Sequence, residues 1–195
     1  MSDNSKNANI STLILMVLKD IRNERGVHQG HLAKSVGKSP SAWSKIENGQ
    51  SQLTADVMIG ACWALQLYPS YIMSIIERMT PMFNNNGYYF HTTGLEEGED
   101  ELLPLVISYF TSKGYEAMKA NPFSRISITN IFNGTSIETT PTIIRYCCEP
   151  SFRDWIDEGA KIGQSAFINP GIGLSGLTTS APIDGFTAFS TTPRN

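Results

Sequence analysis

Scarcity says a good deal about this chain. Only three cysteines occur among its 195 residues, Cys62, Cys147 and Cys148, and no spacing among them resembles a zinc site. Cys62 falls in a helical apolar pattern and reads as a core thiol. The adjacent Cys147 and Cys148 read as ordinary strand residues rather than a redox pair. Free thiols of this kind fit a reducing cytoplasm. Histidine is equally sparse: His28, His31 and His91 lack carboxylate or cysteine partners at ligand spacing and read as surface residues. No metal and no cofactor is expected. No run of about 18 apolar residues exists, which excludes a membrane-spanning helix by length. Leu13–Leu18 is too short and lacks a cleavage-like flank, so it reads as no secretory signal. There is no internal repeat, phosphate loop or dinucleotide fingerprint. Gly171-Ile172-Gly173 with Gly176 has no strand-then-helix frame. The acidic run Glu96–Glu101 lacks a calcium-loop pattern with glycine at the needed turn. Nothing here points to an enzyme.

Net charge is also small, −3, but it is unevenly spread. Lys19–Gln50 carries six Lys or Arg against three acids, whereas from residue 80 onward seven bases face twelve acids. A locally positive segment can dock on phosphates even in an acidic protein, because screening makes the local field decisive.

That positive segment has the most structured pattern in the chain. The first eleven residues are polar and read as loose. Thr12 is the expected cap of a first helix carrying Leu13, Val17, Leu18 and Ile21 and ending near Gly26. His28 caps a second helix, Gln29–Val36, with Leu32, Ala33 and Val36 inward and Gly37 closing it. Ser39 caps a third, with Pro40 at its first position, where the missing N–H is harmless, and with Trp43 and Ile46 inward. Thr54 caps a fourth helix. A fifth spans about Pro69–Arg78. Short connections between them make a small all-α unit.

Beyond Thr80 the texture changes. Asn84–Gly87 reads as a hinge and Tyr88-Tyr89-Phe90 as an aromatic patch packed under it. Leu102–Ala120 reads as a helix that Gly114 splits. Alternation over Arg125–Phe132, a hairpin signal at Asn133-Gly134, and Ser136–Thr140 with Thr142–Cys147 predict strands. Ser151–Gln164 predicts a short helix. Residues 169–195, rich in Gly, Ser, Thr and Pro, read as an irregular or disordered tail. The expected division is thus a flexible 1–11, a DNA-binding 12–79, a linker 80–101, an α+β dimerisation or sensing region 102–168, and the tail.

Several short motifs together carry a family resemblance. LKDIRNERG at Leu18–Gly26, Gln29, Leu32-Ala33, Gly37, Ser39, SKIENG at Ser44–Gly49 and ALQLYPSYI at Ala64–Ile72 resemble the lambda-repressor-like (XRE) helix-turn-helix domains over about a third of the chain. The resemblance implies an all-α five-helix domain in which helices two and three bind DNA. By position it implies that Gln29 contacts phosphate, that Ser39, Pro40, Ser41, Ser44 and Lys45 face the major groove, and that Asn48 and Gln50 lie in a phosphate-touching loop.

The chemistry of these side chains agrees in part. Lys45 can donate to guanine or to a phosphate, the serines are weak discriminators, and Pro40 offers only apolar contact. Pro40, Trp43, His28, Gly30 and His31 depart from the family's usual residues. Some repressors of the family carry a self-cleaving Ser–Lys peptidase; no matching nucleophile turn follows residue 80. The expectation is a sequence-specific regulator, a repressor, that inserts helix three into double-stranded DNA as a homodimer. Its C-terminal region would dimerise it or receive a protein or small-molecule effector. The alternative is an antitoxin-like or adaptor protein whose C-terminal region binds a protein partner.

Overall fold

The computed structural model describes residues 5–96, 98–120, 125–129 and 140–161. Among these lie nine helices and one two-stranded parallel sheet. In chain order the elements are β1 (Lys6–Asn9), α1 (Ile10–Glu24), α2 (Gln29–Ser35), α3 (Pro40–Glu47), α4 (Ala55–Ala64), α5 (Pro69–Asn84), β2 (Tyr88–His91), α6 (Leu103–Thr111), α7 (Lys113–Lys119), α8 (Thr142–Cys148) and α9 (Pro150–Asp157).

Helix α1 is the axle. Leu13, Met16, Val17 and Ile21 are fully buried, and Leu15, Leu18 and Asp20 are buried on its other sides. A helix apolar on nearly every side must be surrounded. It packs closely against α5, and its side chains reach α3 through Arg22 and the C-terminal segments through Asp20. Its start differs from the expected one. Asn9, not Thr12, is the N-cap, its side chain accepting from the Ser11 N–H at 2.8 Å. The helix leaves strand β1 directly, which moves the cap upstream. Thr12 is buried and donates its hydroxyl to Asp100 at 2.5 Å.

The first residues described are not loose. Lys6–Asn9 pairs in parallel with Tyr88–His91, Lys6 opposite Tyr88 and Asn9 opposite His91. Polar composition misleads here, because the strand is held mainly through its backbone and buries only Ala8. Asp100 completes the junction: it accepts from the Asn9 N–H at 3.2 Å and from the Leu102 and Leu103 N–H groups, both at 3.0 Å, and so caps α6 while holding β1.

Helix α5 runs past its expected end at Arg78 to Asn84, with Pro81 inside it. Proline removes one helical hydrogen bond. Burial of Met79 and Phe83, both fully inaccessible, holds the last turn nonetheless. Phe83 then meets Tyr88 and Phe90 edge-on, at 5.4 and 5.9 Å between ring centroids, which packs these two members of the aromatic patch, whereas Tyr89 is exposed.

The predicted strand at Thr142–Cys147 is a helix, α8. β-branched Ile143-Ile144 suggested a strand, yet Ile143, Ile144, Tyr146 and Cys147 are all buried, a helix wrapped by neighbours rather than a sheet with one wet face. Arg125–Ser127 is irregular rather than strand, and Thr129 stands in a helical turn. Within 102–161 the described residues are therefore helical or irregular, and the strands of the α+β expectation do not appear among them. The hairpin at Asn133-Gly134, the strand at Ser136–Thr140 except for its last residue, and the tail at 169–195 lie outside the described residues.

Ser112, not Gly114, separates α6 from α7. It adopts an extended backbone and caps α7, its hydroxyl accepting from the Tyr115 N–H at 3.1 Å. Gly114 serves contact instead. A Cβ there would lie 2.2 Å from the Ile156 carbonyl oxygen, so α7 and α9 approach backbone to backbone. The last helix begins at Pro150 and ends at Asp157, shorter than predicted, with Glu149 rather than Ser151 at its cap.

The C-terminal segments are tied to α1 by a buried ion pair. Arg125 donates to Asp20 at 2.7 Å and also pairs with Glu24, while the Ile128 N–H donates to the second Asp20 oxygen at 2.9 Å. No single helix among the described residues is long and apolar enough to cross a membrane.

Candidate nucleic-acid interface

Local sequence shapes the α2–α3 pair. The His28 ring nitrogen Nδ1 accepts from the Gly30 N–H at 3.1 Å and caps α2. At its far end Gly37 has φ of +66°, a conformation that L side chains resist. The Lys38 N–H then reaches the Ala33 carbonyl at 2.9 Å and the Gly37 N–H the Lys34 carbonyl at 3.1 Å, a Schellman closure. Ser39 caps α3 by accepting from Ala42 N–H at 3.1 Å, with Pro40 in its first turn. Gly49, φ +69°, ends α3 in the same way, with Gln50 N–H on the Lys45 carbonyl at 2.8 Å. Two fixed ends leave α3 little freedom to pivot.

A buried carboxylate then sets its angle. Glu47 is 5% exposed and accepts from Trp43 Nε1 at 2.7 Å and from Arg22 Nε at 2.9 Å through one oxygen. Its other oxygen accepts from Gln29 Nε2 at 2.9 Å and from Arg22 Nη2 at 3.4 Å. Arg22 also donates to the Val27 carbonyl at 3.1 Å. One carboxylate thus joins α1, the first residue of α2 and α3. The buried Trp43 indole, which needs an acceptor, finds it one helical turn away. The other tryptophan of the motif region, Trp63 in α4, is 69% exposed.

The eight expected contact residues sort by environment. Ser39, Pro40, Ser41, Lys45 and Gln50 are exposed; Gln29, Ser44 and Asn48 are half-buried. The Ser39 and Ser41 hydroxyls bond each other at 3.1 Å, so Ser39 is chiefly a cap. Gln29 spends one amide N–H on Glu47 and keeps a second for an outside acceptor. Gln29 and Asn48 border one cleft, whereas Pro40, Ser41 and Lys45 stand apart from it on the outer side of α3.

Sequence reading missed Arg22 and Glu47 as a pair. They stand 25 residues apart, and no local spacing signals that they meet. It also missed Lys19, which shares the cleft and whose ammonium sits 5.0 Å from the Phe110 ring centroid. Burial holds the Lys19 pKa below its ordinary 10.5, Arg22 lowering it further and Glu47 opposing the shift.

Comparison with protein families agrees with this geometry. Residues 16–69 match a family described as a helix-turn-helix domain, and this segment is one. The match takes in α2, the turn at Gly37 and α3, together with most of α1 and all of α4. No curated protein and no solved structure matches the chain.

Proposed function

We propose that the protein is a lambda-repressor-like (XRE-family) transcriptional regulator, acting in the cytoplasm as a repressor and binding an operator as a dimer with α3 in the major groove. The carrying observation is the contrast within α3. Its inner side is locked by Trp43, Ile46 and Glu47, while its outer side offers only small, polar or cationic groups: Pro40, Ser41, Ser44 and Lys45. A helix that fits a protein partner would present large apolar side chains there. One that enters a groove needs small residues and donors, and it needs a rigid mount.

Gln29 and Asn48 then serve as phosphate contacts from either end of the motif. Lys45 is the strongest base reader; Pro40 and the serines contribute little discrimination. Specificity accordingly leans on half-site spacing and DNA shape. One such domain makes too few contacts for tight specific binding, which favours a two-fold dimer. The exposed Trp63 and Tyr68, 69% and 80% accessible, support self-association.

Enrichment of random duplexes on the purified chain yields the operator. On that operator, Lys45→Ala and Gln29→Ala weaken binding, Lys45→Ala by about 1–3 kcal/mol if it reads a base. If both variants retain DNA as the parent does, α3 is not the reading element. Sedimentation of a monomer carrying DNA refutes the dimer.

A further inference from the structure

Gln29 and Asn48 do not stand at a free edge. The cleft they border, about 230 Å³ in volume, is closed on its other side by the C-terminal helices, which add Thr111 and Lys119 to its wall. Those helices are seated firmly. A Cβ on Gly49 would lie 2.5 Å from Leu103 Cδ2, so the first turn of α6 presses on the loop that follows α3.

Cations outnumber acids in the cleft, Lys19, Arg22 and Lys119 against Glu47 and Glu116. Glu47 lines it, but both of its oxygens are taken by Arg22, Trp43 and Gln29. Glu116 meets Lys119 at 3.9 Å, with both side chains more than half exposed, a pair too loose to withhold the ammonium from a stronger acceptor. Lys19 makes no ion pair among the described residues and rests against Phe110. What remains for an incoming group is two ammoniums and the Gln29 and Asn48 amides, the Thr111 hydroxyl being spent on the Ile107 and Ser108 carbonyls. Donors so placed suit an anion whose oxygens only accept, and a phosphodiester is such an anion.

We propose that Lys119, from the C-terminal helices, joins Lys19 in contacting the DNA backbone beside the phosphates met by Gln29 and Asn48. The C-terminal region is then part of the DNA interface itself, beyond any role in dimerisation or sensing. The inference rests on the DNA-binding reading above. It adds to that reading a set of phosphate contacts from outside the helix-turn-helix motif.

The test uses the full chain and a labelled mixed-sequence duplex, with affinity followed by anisotropy from about 50 to 200 mM salt. Lys119→Ala is expected to reduce the slope of log affinity against log salt by about 0.9, and to weaken binding about eightfold at 0.1 M, the counterion-release effect of one phosphate referred to 1 M salt. Lys19→Ala does the same, and Lys119→Arg retains the parent slope. Lys119 is exposed, so circular dichroism should show its variants folded. If Lys119→Ala and Lys19→Ala keep the parent slope while Lys45→Ala weakens binding, the extended contact is wrong and the groove reading stands. If they keep the parent slope but the parent protein binds millimolar inorganic phosphate at Lys119 by NMR, the cleft takes a free anion and the backbone assignment is overturned. If the parent shows no salt-dependent DNA binding, both readings fall.

Discussion

Replacing Glu47 by alanine tests the mount of α3. The side chain is 4% exposed and its Arg22 partner 11% exposed, so the pair lies where water compensates poorly. Removing the carboxylate leaves the Arg22 guanidinium with the Val27 carbonyl as its remaining acceptor among these contacts, and it strands the buried Trp43 N–H. Breaking a buried pair from one side destabilises by about 3–5 kcal/mol, and the orphaned indole falls within that total rather than adding to it. For a chain of this size the melting temperature should fall by roughly 6–20 °C. Glu47→Gln is the informative control. It keeps an oxygen for Trp43 and Arg22 Nε but turns an amide N–H₂ toward the donors Gln29 Nε2 and Arg22 Nη2, so about 2–3 kcal/mol is lost. Urea unfolding followed by tryptophan fluorescence reads both, since Trp43 is 1% exposed and reports on this site. The loss should be nearly independent of salt, because a buried pair is little screened. A Glu47→Ala loss below about 1 kcal/mol is what an exposed pair gives. That result would refute the claim that this carboxylate holds α3 in place.

Three further outcomes are expected. Gly114→Ala sets a methyl 2.2 Å from the Ile156 carbonyl oxygen, and the overpacking, only partly offset by alanine's helix propensity, should cost about 1–3 kcal/mol in urea unfolding; wild-type stability would show that α7 and α9 do not touch there. Gln66 holds φ at +54° in the closure of α4, where Leu67 N–H reaches Cys62 O, so Gln66→Gly should raise stability by up to about 1 kcal/mol, and a loss would contradict the strain. Burial raises the Cys148 thiol from its ordinary 9.0 to about 11, Glu149 adding to the rise while Lys6 and Arg153 oppose it. Between those values the unfolded chain releases a proton that the folded chain keeps. Stability should therefore decline as pH rises from 9.0 towards about 11, and a Cys148→Ser variant should lose that part of the slope.

The helix-turn-helix motif was legible because its signals are local. His28, Ser39 with Pro40, Gly37 and Gly49 each act within a few residues through caps and left-handed turns, and all four were found where they were expected. Thr12 as a cap, Arg78 as the end of α5 and Gly114 as a break failed for one shared reason. Each follows local rules, and at each packing in the folded chain prevailed: Asp100 on Thr12, burial of Phe83 beyond Pro81, and Ile156 against Gly114. The strand expected at Thr142–Cys147 failed in the same way. Propensity favoured extension, and burial on several sides made it a helix.

By itself the sequence determined the identity of the helix-turn-helix unit, the ends of α2 and α3, and which side chains α3 turns outward, since these follow from cap chemistry and helical periodicity. Only the tertiary structure decided how α3 is anchored and what stands beside it. Arg22 and Glu47 meet across 25 residues, and α6 and α7 close against Gln29 and Asn48 from more than 50 residues away. Such pairings depend on how the helices cross and pack, which no spacing within a single segment records.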